Sequence, residues 1–253
     1  MLPPVCPPAI SAHRAGAAGH AAVTYEAVRS AIATGAELVE LDLRRTRDGE
    51  VIVCHRPAVP HHGPVAALSR AELCRLAGYQ VPLGIDVMRM LAGAAAGHLD
   101  LKDPGCAPAA AEAGLTILGP DGFLITTGDS QVAAALKRRF PAVRVGLTVG
   151  GESAEAARLW LSPPASAARI VAGRARRCGA DWVVIEHRLA RRPVLRECRR
   201  LGLRAMIWTV NRDRTLLRRL ADPLVDAVVT DRPARAVALR EDAAAGASRN
   251  RPQ

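Results

Sequence analysis

The stretch 37-ELVELDLRRTRDGEVIVCH-55 places two carboxylates inside a segment that otherwise has the pattern of a buried strand. Apolar residues alternate with Glu40 and Asp42, so both acids lie on one face of the predicted strand. Two acids that share a face repel each other and resist burial. That face therefore needs either a cation or access to water. A solvated sheet face is the simplest explanation of this stretch alone, and the rest of the chain must decide.

Outward from this stretch, short apolar runs alternate with longer amphipathic segments along the chain. The predicted strands are AISAH, ELVELDL, EVIVCH, GHLDLK, GFLITT, VRVGLTV, DWVVIEH, LRAMIWTV and VDAVVTD. This alternation predicts right-handed crossovers and a parallel sheet, and about eight such units have the size of a (β/α)₈ barrel. The turn at Asp48-Gly49 joins two strands directly and breaks the alternation. A doubly wound sheet is the alternative fold, but no glycine-rich phosphate loop follows an early strand.

One domain over residues 1–240 accounts for these elements, and the polar, small-residue segment 241–253 is predicted to be a disordered tail. The six cysteines are scattered without paired spacing, which predicts reduced thiols. The first residues lack the charged and then apolar segments of a signal peptide. No apolar run is long enough to cross a bilayer. We therefore expect a cytoplasmic protein without a transmembrane segment.

The net charge of +11 at pH 7 would suit an anionic partner such as nucleic acid. However, Lys102 and Lys137 are the only lysines among the 35 basic residues, and this bias toward arginine is typical of biased codon usage. The arginines cluster in residues 174–204, where they alternate with apolar positions as on solvated helix faces. No nucleic-acid motif or run of aromatic residues accompanies them, so we expect no nucleic-acid partner.

Polar residues follow the carboxyl ends of the predicted strands, where a barrel carries its catalytic groups. In chain order they are His13, Arg14, Glu40, Asp42, His55, Asp100, Lys102, Trp208, Asn211 and Asp231. Each has an ordinary structural explanation, such as a loop histidine, a plain ion pair or a core tryptophan. In a barrel, however, all of them would converge on one mouth.

These residue types together indicate phosphodiester cleavage. The carboxylates of Glu40, Asp42 and Asp100 suit a hard divalent cation such as Mg²⁺ or Ca²⁺. The two histidines can supply an acid and a base, while Arg14 and Lys102 can hold an anion. A metal ion, two imidazoles and two fixed cations are typical of phosphodiester hydrolysis.

With these motifs the chain resembles the glycerophosphodiester phosphodiesterases. The matching pieces are AHRAG, GAELVELDLRRTRDGEVIVCHRP, VPLGIDVMRML, LDLK, WTVN and VVTDRP. The resemblance implies a (β/α)₈ TIM barrel with a small insertion after the second strand. It also implies metal-dependent hydrolysis of glycerophosphodiesters to glycerol 3-phosphate and an alcohol, a reaction of lipid and glycerol metabolism. The expected partner is thus a small-molecule phosphodiester.

The resemblance also implies a role for each matching residue. These roles are metal binding for Glu40, Asp42 and Asp100, acid–base catalysis for His13 and His55, phosphate contact for Arg14 and Lys102, and a place in the substrate pocket for Trp208. Because metal-binding carboxylates repel one another without the metal, we expect Asp42→Asn to remove activity and leave the fold intact or more heat-stable.

The chain departs from the family pattern in several places. Ala22 and Val23 replace the polar pair of E-N-T, Ala15 replaces the glycine of H-R-G, Arg56 replaces an aspartate, and Asp100 is shorter than the usual glutamate. Two alternatives follow: a lipid-headgroup phosphodiesterase of the sphingomyelinase D type, which shares the D-x-K strand, and a barrel that binds phosphorylated ligands without catalysis. The sequence shows no long apolar loop that would favour the first, and the two histidines disfavour the second.

Overall fold

The computed structural model describes residues 7–16, 23–151 and 154–249. Its strands are β1 (Ala9–Ala12), β2 (Leu38–Arg45), β3 (Val51–Val53), β4 (Ala58–Val59), β5 (Gly63–Pro64), β6 (Ala96–Leu101), β7 (Phe123–Thr127), β8 (Val145–Val149), β9 (Trp182–Glu186), β10 (Arg204–Trp208) and β11 (Ala227–Thr230). Its helices are α1 (Tyr25–Ala33), α2 (Arg70–Ala77), α3 (Gly84–Leu91), α4 (Ala107–Ile117), α5 (Ser130–Arg139), α6 (Ala154–Leu161), α7 (Pro164–Arg177), α8 (Arg192–Arg200), α9 (Asp213–Leu220) and α10 (Pro233–Arg249). Ala22, one of the departures from the family pattern, lies outside the described residues.

Eight parallel strands close into a barrel in the order β1, β2, β6, β7, β8, β9, β10, β11. The ring closes because β1 pairs with β2 on one side and with β11 on the other. Helices lie between the successive barrel strands, which confirms the predicted (β/α)₈ TIM barrel and excludes the doubly wound sheet. All nine predicted strands are present.

Two apolar layers hold the barrel together, and β2 contributes to both. Val39, Leu41 and Leu43 are fully buried in the large core between the strands and the outer helices. Leu38 belongs to a second, smaller cluster with Leu124, Trp182, Val184, Met206, Ala227 and Val229. Since Leu38 shares its strand face with Glu40 and Asp42, this smaller cluster closes the barrel interior below the two acids.

The predicted insertion after the second strand is also present. Strand β3 turns back antiparallel to β2, and a short hairpin of β4 and β5 and then α2 follow it. Ser69 caps α2 through a capping box with Glu72. A small core of Ile52, Val65, Leu73 and Val81 holds the insertion together. The chain returns to the barrel through α3.

The C-terminal segment differs from the prediction. Helix α10 extends to Arg249 and so includes residues 241–249, for which a disordered tail is predicted. Arg240 pairs with Glu37 at 2.7 Å and Leu239 is buried, which fixes the first part of the helix. The alanines that follow have high helix propensity and continue it, although residues 241–245 are exposed and pack against no core.

Two further expectations concern reduced cysteine thiols and transmembrane segments. Five cysteines, Cys54, Cys74, Cys106, Cys178 and Cys198, are free thiols, whereas Cys6 lies outside the described residues. Among the helices in the described part of the chain, none combines the length and the hydropathy that crossing a membrane requires.

Candidate active site

Three buried carboxylates meet at the carboxyl ends of β2 and β6. The register of the two strands sets Asp42 beside Asp100, and Glu40 precedes Asp42 on the same face. Oxygen atoms of all three side chains lie within 4.8 Å of one another. The side chains are almost completely shielded from solvent. The strand register thus brings together the three acids that sequence analysis singled out as metal ligands.

Asp42 is surrounded by cations and hydrogen-bond donors. Lys102 Nζ lies 3.1 Å from Oδ1, and His55 Nδ1 lies 2.8 Å from Oδ2. Arg14 Nε approaches Oδ2 to 3.4 Å. Burial alone would raise the pKa of Asp42, but the hydrogen bond from His55 and the charge of Lys102 hold this pKa well below its usual range. Asp42 is therefore an ionised, well-compensated carboxylate.

Glu40 has a different environment. Its Oε2 accepts a hydrogen bond of 2.6 Å from the backbone N–H of Arg14, and no side-chain cation lies within ion-pair distance of it in the described part of the chain. Burial raises the pKa of Glu40 well above its usual value, and the charges of Asp42 and Asp100 raise it further. Glu40 thus carries the uncompensated charge of the cluster.

An unusual backbone conformation aims the Arg14 N–H at Glu40. Arg14 and Ala15 both have positive φ, 46° and 53°, within the 3₁₀ turn His13–Gly16. Residues other than glycine rarely adopt this left-handed conformation, which costs about 1 kcal/mol or more per residue. Ala15 is where this chain departs from the H-R-G motif, so alanine adopts a conformation here that glycine would accept more easily.

Lys102 connects the acids of the two strands. Its ammonium donates a short hydrogen bond to Asp100 in addition to its contact with Asp42. Burial alone would lower the pKa of Lys102, but the charges of Asp100 and Asp42 outweigh it and raise this pKa above its ordinary value. Thr126 Oγ1 donates to the other oxygen of Asp100 at 2.5 Å. Lys102 therefore remains charged and fixed in position.

Each predicted catalytic histidine is oriented by a carboxylate. His13 Nδ1 lies 2.6 Å from Asp231 Oδ1, and His55 Nδ1 lies 2.8 Å from Asp42 Oδ2. A carboxylate accepts hydrogen bonds, so both Nδ1 atoms carry a proton, and Nε2 is the atom available for proton transfer. In His55 this Nε2 lies 2.7 Å from Arg14 Nη2. Because a guanidinium only donates, His55 is neutral in this arrangement.

Several residues that sequence reasoning left without a role complete the site. Asp231 orients His13, and Asn211 Nδ2 donates to the second oxygen of Asp231. Arg44 donates to the backbone carbonyls of His55 at 3.0 Å and Lys102 at 3.2 Å, so it braces both segments. Asn211 and Asp231 directly follow barrel strands, and this position in the sequence indicates that they belong to the site. For Arg44 we find no signal in the sequence.

A buried chain of hydrogen bonds below the carboxylates was also missed. Ser11 Oγ, His98, Thr126 and Asp100 form this chain across β1, β6 and β7, with distances of 3.0, 3.1 and 2.5 Å. Burial lowers the pKa of His98 to about 4, so the imidazole is neutral. His98 precedes Asp100 by two positions on the same strand face, and this spacing could have identified it.

Trp208 forms no side-chain hydrogen bond with the acidic cluster in the described part of the chain. Its indole N–H donates to the carbonyl of Val184 at 3.1 Å, and its ring packs against the smaller apolar cluster inside the barrel. The other seven predicted site residues are linked to one another or to neighbours in the mouth. The predicted contact of Trp208 with substrate stays a prediction.

The carboxylates suit a hard divalent cation. Three oxygen ligands lie close together, and the raised pKa of Glu40 measures the unfavourable free energy of holding its charge there without a cation. Lys102 and the N–H of Arg14 offset only part of the negative charge. The donor set therefore fits Mg²⁺ or Ca²⁺, both of which prefer oxygen ligands.

Comparison with protein families gives one clear match. The model of the glycerophosphoryl diester phosphodiesterase family matches residues 13–99 and 107–235, which include the residues assigned above to the candidate site except Ser11, Asp100 and Lys102. The comparison with curated proteins gave no significant match.

Solved structures share the fold over nearly the full chain. A glycerophosphodiester phosphodiesterase from Thermotoga maritima is 19% identical, with a TM-score of 0.75 and coverage of 92% of this chain and 98% of that one. One from Parabacteroides distasonis is 16% identical, with a TM-score of 0.75 and coverage of 94% and 98%. A phosphodiesterase from Oleispira antarctica, solved with the product sn-glycerol-3-phosphate, is 17% identical, with a TM-score of 0.72 and coverage of 92% and 97%. At these identities the likeness shows the fold alone.

Proposed function

Because the chain belongs to the glycerophosphoryl diester phosphodiesterase family, a family of phosphoric diester hydrolases, we propose that it hydrolyses glycerophosphodiesters to glycerol 3-phosphate and an alcohol with the help of a divalent cation. One observation carries the proposal: three buried carboxylates lie within 4.8 Å of one another beside two carboxylate-oriented histidines. The product bound to the Oleispira antarctica phosphodiesterase supports glycerol 3-phosphate as the product here. Among the described acids, histidines and cations of the candidate site, none favours the sphingomyelinase D-type or binding-only alternatives.

The cation is the first element of the proposal. Glu40, Asp42 and Asp100 would hold Mg²⁺ or Ca²⁺, which when bound supplies Lewis-acid polarisation of a phosphoryl oxygen. Lys102 remains charged beside them and would contact a second phosphate oxygen. The site would thereby neutralise the charge that develops on the phosphoryl group.

The histidines divide the proton transfers between them. His55 is neutral, so its Nε2 would take a proton from the attacking water as the new P–O bond forms. His13 would donate a proton from Nε2 to the leaving alcohol oxygen as the other P–O bond breaks. Asp231 accepts the hydrogen bond of His13 Nδ1 and keeps the ring oriented.

Arg14 must give up its hydrogen bond to His55 before His55 can act as the base. Its Nη2 now donates to His55 Nε2, the atom that would act as the base. A phosphate oxygen is a stronger acceptor than a neutral imidazole, so the arriving substrate would draw the guanidinium away from His55. Arg14 would therefore bind phosphate and free the base in the same movement. Trp208 would contact the remainder of the substrate.

The test is a substrate screen with a measured product. Glycerophosphocholine, glycerophosphoethanolamine, glycerophosphoglycerol and lysolipids are incubated with Mg²⁺, Ca²⁺ or EDTA. Glycerol 3-phosphate is quantified for the first three substrates and lysophosphatidate for the lysolipids. We expect release that EDTA abolishes and a divalent ion restores. Full turnover by metal-free protein would contradict the cation, and headgroup release from the first three substrates without glycerol 3-phosphate would contradict the product.

Alanine variants test the two histidines. His13→Ala and His55→Ala should each lower kcat about a hundred- to ten-thousand-fold, the usual cost of losing one acid or base. His62→Ala, which changes an exposed histidine of the insertion, is the matched control. A histidine whose alanine variant retains most of the rate would only orient a neighbour.

A further inference from the structure

The insertion encloses an apolar cavity of about 240 Å³ directly beside the candidate active site. Its wall consists largely of apolar side chains of the insertion: Ile52, Val59, Val65, Leu73, Leu76 and Tyr79. Leu76 is 37% exposed. Phosphate binding and proton transfer, as described above, require none of these side chains. The cavity therefore has no role in the reaction as described so far.

Residues of the candidate active site form one end of this cavity. Arg14 and His55 both line it, and Arg56 is the second arginine among its described lining residues. Arg14 Nη2 and His55 Nε2 meet at this end, 2.7 Å apart. The cavity thus has a cationic end at the phosphate-binding groups and an apolar remainder. An occupant that matches both parts carries hydrocarbon next to an anion.

A polar headgroup would use this cavity poorly. The cationic amine of ethanolamine, for example, would lie near Arg14 and Arg56 and lose its hydration against apolar walls. A hydrocarbon chain would instead displace water from these walls, and each methylene that it buries contributes about 0.8 kcal/mol. The volume accommodates several methylene groups.

We propose that this cavity binds a hydrocarbon chain of the substrate, so that the enzyme prefers phosphodiesters in which an apolar chain lies next to the phosphate. This inference rests on the proposed phosphodiesterase function. The chain can come from the leaving alcohol or from an acyl group on the glycerol of a lysolipid. Both sources place hydrocarbon beside an anionic phosphate, and the experiment separates them.

The first experiment is a series of glycerophosphodiesters of unbranched alcohols from ethanol to octanol, with a matched series of short-chain acyl lysophosphatidylcholines. We expect kcat/KM to rise about fourfold per methylene in one series until the cavity is full, and then to level off. The series that rises identifies which ester carries the chain. Equal kcat/KM values along both series, with glycerophosphocholine still hydrolysed, would overturn the inference and leave the proposed function intact.

Variants of the cavity wall make the test specific. Ala77 lines the cavity at the end of α2, so Ala77→Phe should fill part of it and flatten the rise in kcat/KM. Activity on glycerophosphoethanol should be unchanged, because Ala77 touches no group of the reaction. Ala71→Phe, on an exposed position of the same helix outside the lining, is the matched control. An unaltered chain-length dependence in Ala77→Phe would place the chain elsewhere.

A binding measurement separates this inference from the proposed function. Calorimetric titration of the Ca²⁺-loaded protein with ethyl, butyl and hexyl phosphate needs no turnover. We expect Kd to fall about fourfold per methylene in the wild type and in Ala71→Phe but not in Ala77→Phe. If no diester is hydrolysed but this dependence is found, the proposed function fails and the chain-binding cavity stands. A Kd independent of chain length would refute the cavity whatever the activity.

Discussion

Glu40 and Asp42 lie two residues apart on one face of β2 and have opposite electrostatic environments. Asp42 contacts Lys102, His55 and Arg14, whereas the hydrogen bond of Glu40 comes from a backbone N–H. As a result, the pKa of Asp42 is lowered and the pKa of Glu40 is raised. The repulsion that the sequence predicts is therefore concentrated on Glu40.

Replacing Glu40 should stabilise the metal-free protein. Because burial and the neighbouring acids raise its pKa in the folded state above 4.5, the folded protein binds a proton more tightly than the unfolded chain. Stability then falls as pH rises above 4.5. In EDTA at neutral pH, Glu40→Gln should increase the free energy of unfolding on the order of 1 kcal/mol or more, with a smaller gain in acid.

Urea unfolding between pH 4 and 8 measures this difference. Glu26→Gln, which changes an exposed glutamate on α1, is the control and should alter stability by less than about 0.5 kcal/mol. If Glu40→Gln is less stable than the wild type at every pH, Glu40 has an ion-pair partner in solution.

Asp42→Asn should lower the free energy of unfolding of the metal-free protein, contrary to the expectation from sequence. Its contacts with Lys102 and His55 would be lost, and cations would remain in a buried site without their carboxylate. Removal of one partner of a buried pair costs about 3 kcal/mol. Because the pKa of Asp42 is lowered, its contribution is present above pH 3.8 and is lost as pH falls below that value. Urea unfolding at neutral pH tests this, with exposed Asp121→Asn as the control.

The sequence predicts the barrel strands well because each is a short apolar run bounded by polar or glycine residues. It fails for the hairpin of β4 and β5, since AVPHHGP shows no apolar alternation and His61 and Gly63 set its turn through positive φ. For residues 241–249 the small residues allow two interpretations, because a polar segment rich in alanine fits a disordered tail and alanine also favours the helix of the structure.

The candidate site likewise contains residues that can be predicted from the sequence and residues that cannot. The acids and Lys102 could be predicted as one group because they alternate on two strands, and alternation fixes the face. The partner of His13 could not, since Asp231 is 218 residues away and the closure of β1 on β11 brings them together. Likewise, the role of Arg44 could not be predicted, because it contacts backbone carbonyls, which every residue has.

Metal binding should be measurable as stability. A cation that binds only the folded protein adds about 2.7 kcal/mol at a hundred times its Kd. We therefore expect Mg²⁺ or Ca²⁺ to raise Tm in the wild type and not in Glu40→Gln or Asp100→Asn. Since the cation competes with the proton on Glu40, this effect should increase with pH. Scanning calorimetry with and without EDTA tests this, and equal shifts in all three proteins would place the cation elsewhere.

Lys102→Arg should impair catalysis by more than about tenfold, a barrier increase of about 1.4 kcal/mol. The compact ammonium of Lys102 lies between Asp42 and Asp100, where a planar guanidinium would force the carboxylates apart. The other lysine, Lys137, pairs with Asp181 outside the candidate site, so Lys137→Arg is the matched control. Wild-type kcat and KM in Lys102→Arg would mean that the charge alone matters.

His98 should control the stability of the metal-free protein in weak acid. Burial lowers its pKa from 6.5 to about 4, so the unfolded chain binds a proton that the folded protein excludes. The contribution of neutral His98 is then complete above pH 6.5 and is lost as pH falls from 6.5 toward 4, a change of about 3 kcal/mol. His98→Gln removes this titration while it keeps a side chain that can hydrogen-bond to Ser11 and Thr126.

Urea unfolding in EDTA at several pH values should therefore show that the wild type loses about 3 kcal/mol more than His98→Gln across this window, because other titrating groups are common to both proteins. His62→Gln, at an exposed position, should follow the wild type. A difference between wild type and His98→Gln that does not change with pH would mean that His98 binds protons equally in the folded and unfolded states.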